Sequence, residues 1–308
     1  MLTAIQNQNK TLKRASALML VVALVFLAGC HQQNNPADKL GVFVSILPQA
    51  EWVTAIGGDK VEVSVMIPPG ASPHVYEPTA SQMQTLSRAE IYAAVGSGIE
   101  FEISFLEEIL EINPDVLLVD CSQGVSLIEI NENQHDDEHA SEHQHAYDPH
   151  IWLSLVNAEI MVTNIYNGLA TADPANQNYY RQNLEQYIGK LNEMHNAFQE
   201  GFAHLDNRVF IMQHPSMGYF ANDYNLTQIA AEEGGSDATI QSMVRTIEQA
   251  KQNNVKVIFV SPQFPASVAE AVSQEIKGIV EPLDSLAGNY IENMNHIFDI
   301  MHEAMRGQ

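Results

Sequence analysis

The stretch DPANQNYYRQNLEQYIGKLNEMHNAFQEGFAHL, Asp173 to Leu205, decides how the rest of the chain is organised. Tyr180, Leu184, Tyr187, Leu191, Met194, Phe198 and Phe202 recur at steps of 4, 3, 4, 3, 4 and 4, the spacing of one apolar stripe on one helix. Asp173 followed by Pro174 marks a helix start. The spacing predicts a linking helix over 173–205, roughly eight turns long. Such a helix is a stiff strut between two lobes, which a Gly/Ser linker is not. The alternative is an ordinary surface helix of a single domain.

On both sides of the helix, short β-branched runs alternate with helical ones. Before it stand VFVSI (42–46), VEVSVMI (61–67), IYAAV (91–95) and DVLLVD (115–120), separated by helical stretches such as PQAEWVTAIGG and FEISFLEEIL. After it stand RVFIM (208–212), VKVIFV (255–260) and GIVEPL (278–283), with helical TIQSMVRTIEQAKQNN, PASVAEAVSQEI and NYIENMNHIFDIMHEAM. Strand–helix alternation predicts parallel sheets covered on both faces. The fold class is therefore α/β: two Rossmann-like lobes, 41–172 and 206–308, joined by one long rigid helix.

The start of the 308-residue chain is not part of that plan. Lys10, Lys13 and Arg14 precede the apolar run ALMLVVALVFLAG, which is too short to span a bilayer and reads as a signal peptide over 1–29. The run ends in LAGC, which looks like a bacterial lipobox with Cys30 as the lipidated residue. Residues 30–40 then read as a flexible tether, giving an extracytoplasmic protein anchored by lipid to the bacterial membrane. Cys121 is the one other cysteine, so no internal disulfide is expected and the thiol reads as a buried small hydrophobe. The formal net charge of −24 becomes −27 without the basic signal. That excess of acid excludes nucleic acid as a partner and suits a soluble body that weakly attracts cations.

Twelve histidines supply the chemistry. His31 lies in the tether, and His195, His204, His296 and His302 lie on helices, where they read as solvated or structural. His135, His139, His143 and His145 belong to an acid-rich loop over 131–146, expected to offer weak, exchangeable metal contacts. His74, His150 and His214 remain. His74 sits in IPPGASPHVYEP (67–78), stiffened by four prolines; His214 follows the strand ending at Met212; His150 precedes a helix. Asp284 occupies the comparable place after GIVEPL. In open parallel sheets, ligands bind beyond the carboxyl ends of the strands. Two of these residues come from each lobe, so a cleft between lobes would bring them together. Three imidazoles and one carboxylate suit tetrahedral Zn²⁺. A core role and a general-base role stay open for each histidine alone. A tris-histidine zinc site with bound water is also a hydrolytic arrangement, for which Glu77 is the nearest base in sequence. Neither HExxH nor GxSxG is present.

Four motifs carry a family resemblance: VSILPQAEWVTAIGGDKVEVSVMIPPGASPHVYEPT, YDPHIWLSLVNA, HPSMGYFANDYNL and VEPLDSLAGNYIENM. In that order they resemble the zinc and manganese solute-binding lipoproteins of ABC transporters, from about residue 41 to the end. The resemblance implies metal buried between two lobes, with His74, His150, His214 and Asp284 as ligands. Manganese-favouring members usually have a carboxylate where this chain has His214, so the resemblance implies zinc rather than Mn²⁺. It implies a monomer that hands the ion to a membrane permease and performs no chemistry. The alternatives within the fold are a manganese-selective protein and an adhesin or metal-storage lipoprotein. Zinc affinity is expected to fall as imidazoles protonate near pH 6.5.

Overall fold

The computed structural model describes residues 39–130, 147–232 and 238–307. In the first lobe β1 (Leu40–Val44) leads through α1 (Leu47–Gly57) to β2 (Val61–Val65), and α2 (Ala80–Leu86) leads to β3 (Ile91–Ala94). Then α3 (Glu100–Ile112) leads to β4 (Leu117–Asp120), and α4 (Leu155–Ala172) closes the lobe. The four strands pair in parallel in the order β2-β1-β3-β4. After α5 (Gln177–Ala203), the second lobe repeats the plan with β5 (Val209–Met212), α6 (Gly218–Asp223), β6 (Thr227–Ala230), α7 (Ile240–Gln252), β7 (Val257–Val260), α8 (Ser267–Ile276), β8 (Ile279–Pro282) and α9 (Tyr290–Arg306). Its order, β6-β5-β7-β8, is the same and again wholly parallel. The central strands β3 and β7 are buried along their length, as helix-covered parallel strands must be.

The connecting helix α5 buries Tyr180, Leu184, Tyr187, Leu191, Met194, Phe198 and Phe202, the seven residues of the stripe. At about 1.5 Å per residue its 27 residues run roughly 40 Å. It starts four residues later than the spacing predicts. The Asp173 carboxylate accepts from Asn176 Nδ2 at 2.6 Å and Tyr180 OH at 2.7 Å, drawing Pro174–Asn176 into a tighter turn. One end of the helix holds the first lobe, through Asn183 Nδ2 to the Ile56 carbonyl at 2.9 Å and Tyr187 OH to Glu51 at 2.6 Å. Its other end holds α9, where Phe198 stacks on Phe298 at 4.4 Å.

One strand was not expected from sequence. β6 has a single buried residue among its four, so no apolar run announces it. The turn before it places Asn225 at φ 53°, a left-handed position that asparagine tolerates. In each sheet the strand order reverses beside its first strand, at β1/β3 and β5/β7, which is where crevices open at the carboxyl ends. Residues 1–29, Cys30, the tether up to Asp38 and the loop 131–146 with its four histidines lie outside the described residues. Among the described residues no helix is long and apolar enough to cross a membrane. Cys121 is fully buried, and burial pushes its thiol above the ordinary range.

Candidate metal centre

His74 stands on the loop after β2, where Gly70 turns the chain at φ 80°. The Pro73 carbonyl accepts from Phe101 N at 3.1 Å, so the loop is pinned to the first turn of α3. That pin brings Glu100 to the imidazole: His74 Nδ1 lies 2.6 Å from Glu100 Oε2. His150 is held within its own segment. Asp148 Oδ1 accepts from His150 N at 2.9 Å and stands 2.8 Å from His150 Nδ1. Ser97 Oγ donates to the Pro149 carbonyl at 2.5 Å, tying this segment to the end of β3.

His214 is mounted on the sheet itself. The pairing of β5 with β6 continues past both strand ends, with Ala231 N to Met212 O at 3.1 Å and Glu232 N to Gln213 O at 3.0 Å. Glu232 is thereby set beside His214, and its Oε2 lies 3.0 Å from Nδ1. Gln213 Nε2 donates to the other oxygen, Oε1, at 3.0 Å. Phe264 stacks on the His214 ring at 4.4 Å and seals its far side.

Among the described residues, His74, His150 and His214 form a group whose ligand atoms all lie within 4.8 Å of one another. Each Nδ1 lies beside its own carboxylate, an arrangement that favours the Nδ1–H tautomer and leaves Nε2 to bind a cation. The Nε2 atoms of His150 and His214 are 3.3 Å apart. If both rings carry their proton on Nδ1, two lone pairs face each other at that separation, and a cation between them removes the repulsion. Two nitrogens bound to tetrahedral Zn²⁺ at about 2.0–2.1 Å would be separated by roughly 3.3 Å. Burial pushes the His214 pKa down to about 4, against the opposing pull of Glu232, with His150 and His74 lowering it further. The ring is therefore neutral at pH 7 and ready to coordinate. Its proton competes only far below the expected 6.5.

Asp284 is not brought into this group. Its Oδ1 accepts from Gln263 Nε2 at 2.9 Å and from Leu286 N at 2.9 Å, which holds the carboxylate to its own turn. Glu77 is exposed on the outside of its loop. The three carboxylate partners were not read from sequence. Asp148 stands two residues before His150, a spacing that marks it; Glu100 and Glu232 are joined to their histidines only by tertiary structure.

A family model described as "Zinc-uptake complex component A periplasmic" (ZnuA) matches residues 42–304. The high-affinity zinc uptake system protein ZnuA of Bacillus subtilis (strain 168) is 29% identical over 314 residues, covering 95% of this chain and 98% of that protein. The zinc-binding lipoprotein AdcA of Streptococcus pneumoniae (strain ATCC BAA-255 / R6) is 26% identical over 301 residues, covering 96% of this chain and 60% of its own length. A solved crystal structure of ZnuA superposes with a TM-score of 0.80 at 36% identity, over 87% of this chain and 99% of that one.

Proposed function

Because the chain belongs to the ZnuA family of periplasmic zinc-uptake components, we propose that it captures zinc outside the cytoplasm and delivers it to an ABC permease. The proposed ligands are His74, His150 and His214, through Nε2. The observation that carries this reading is the pair of imidazole Nε2 atoms 3.3 Å apart, each ring backed by a carboxylate. A carboxylate behind each ring raises its basicity and fixes its tautomer. Three buried or half-buried negative charges also make the crevice attractive to a divalent cation before any bond forms.

No chemical step is part of the proposal. Zinc is cargo, bound through four atoms at most from two lobes, and released when the permease draws those atoms apart. Asp284 is the proposed occupant of the fourth position, through Oδ2, since Oδ1 is held by Gln263 and Leu286. Lipid attachment at Cys30 and a monomeric state complete the proposal. Residues 41–172, 173–205 and 206–308 are its working parts.

Chelator competition with substoichiometric zinc tests the site, because only the tightest position then fills. His214→Ala should weaken zinc binding at least ~100-fold, since loss of a partner behind a ligand already costs about 10–100-fold. An unchanged affinity would move the site elsewhere.

A further inference from the structure

We propose that Tyr219, in the second lobe, is a positioning residue for His150, in the first. The inference rests on the zinc-capture reading and adds a residue that no ligand set contains.

Glu129 and Tyr147 pair as an antiparallel bridge, so Ile128 and Asp148 stand opposite each other in the same register. Facing residues at such a position exchange two backbone hydrogen bonds. Here one of the two is direct, from Asp148 N to the Ile128 carbonyl at 2.9 Å. The other passes through a side chain. Ile128 N donates to Tyr219 OH at 3.0 Å, and the same hydroxyl donates to the Asp148 carbonyl at 2.8 Å. Tyr219 is 3% exposed, so both hydrogen bonds are buried under the second lobe's own side chain. The hydroxyl is a rung of the first lobe's antiparallel bridge, supplied by α6 of the second.

Asp148 is the residue that this rung fixes, and Asp148 Oδ1 holds both the amide and Nδ1 of His150. Gly218 completes the seat. A Cβ there would collide with Asp148 Oδ2, so only glycine admits the carboxylate at this depth. Tyr219 also lies five residues after His214 on one short segment. The second lobe therefore delivers its own ligand and sets the first lobe's ligand from the same stretch of chain. Separating the lobes would break the rung and loosen His150 together with the cleft.

The test is a cycle of Tyr219→Phe, Asp148→Ala and the double variant in the full chain. Zinc affinity is read by chelator competition at substoichiometric metal, and site geometry by the visible spectrum of the Co²⁺-loaded protein. Tyr219→Phe keeps the ring and should weaken zinc about tenfold, the lower end for an outer partner of a ligand. It should also shift the Co²⁺ bands. In the Asp148→Ala background the same change should cost less than about twofold, because the path to His150 is already cut. Unaltered affinity and spectrum in Tyr219→Phe would overturn the proposal, and so would a full tenfold loss in the Asp148→Ala background. His214→Ala run alongside separates the two readings: if that variant binds zinc normally, the site assignment fails, not the rung.

Discussion

The two lobes share a sheet order and differ in how they mount their histidines. The second lobe sets His214 and Glu232 on the continued ends of two paired strands, with side chains only 5% and 9% exposed. The first lobe sets His74 on a proline-rich loop against the start of a helix, with His74 and Glu100 at 16% and 27%. One ligand is built into a sheet; the other sits on a loop that the Pro73 carbonyl ties to the first turn of α3. The difference teaches that symmetry of fold does not give symmetry of site. It makes His214 the fixed half of the proposed grip and His74 the half nearest to solvent.

The first effect expected from this contrast is on stability without metal. His214 has its pKa depressed to about 4 by burial in the folded chain, against about 6.5 unfolded. Below pH 6.5 the unfolded chain takes up a proton that the folded chain refuses. The stability present above that pH is therefore lost as pH falls toward 4. Between pH 7 and 5 the loss should be about 2 kcal/mol from this ring. Urea melts in chelator should show that slope, and His214→Gln should flatten it. Equal slopes in both proteins would mean the ring is not buried in its neutral form.

A second measurement sharpens the comparison directly. Glu232→Gln and Glu100→Gln each remove the charge behind a proposed ligand. Glu232 is locked on both oxygens by Gln213 and His214, so its loss should weaken zinc toward the upper part of the 10–100-fold range. Glu100, more open to water, should fall near the lower end. Chelator competition giving the reverse order would break the assignment of fixed and adaptable halves.

These pairs also mark where sequence stops being legible. The α5 stripe could be read because a helix repeats its burial every three to four residues, and the seven predicted positions are the buried ones. The three histidines could be read because they sit at the ends of elements, among prolines and turns. Glu100 and Glu232 are 26 and 18 residues from their histidines, and only folding makes them neighbours. Glu232 was hidden further because the strand before it, β6, exposes or half-exposes three of its four residues. Asp148 was within local reach and passed unread, since a DPH triplet looks like turn chemistry as much as ligand support.

Asp284 gives the smallest expected effect and the finest test of the grip. Sequence places it after β8 as the counterpart of His214 after β5, one carboxylate to balance three imidazoles. In the structure its Oδ1 already has two donors, and Trp152 Nε1 donates to the adjacent Ser285 carbonyl at 2.8 Å, fixing the turn to the His150 segment. Moving Oδ1 onto zinc would leave the part-buried Leu286 amide and Gln263 amide group without their acceptor, a cost below the roughly 1–3 kcal/mol of a fully buried group. Only Oδ2 is free of that cost. Asp284→Asn keeps an oxygen for both donors and removes the charge, so zinc affinity should fall by less than about threefold, roughly 0.6 kcal/mol. A loss approaching that of Glu232→Gln would show that the second oxygen of Asp284 holds the metal as a full ligand, and that both lobes contribute equally to the grip.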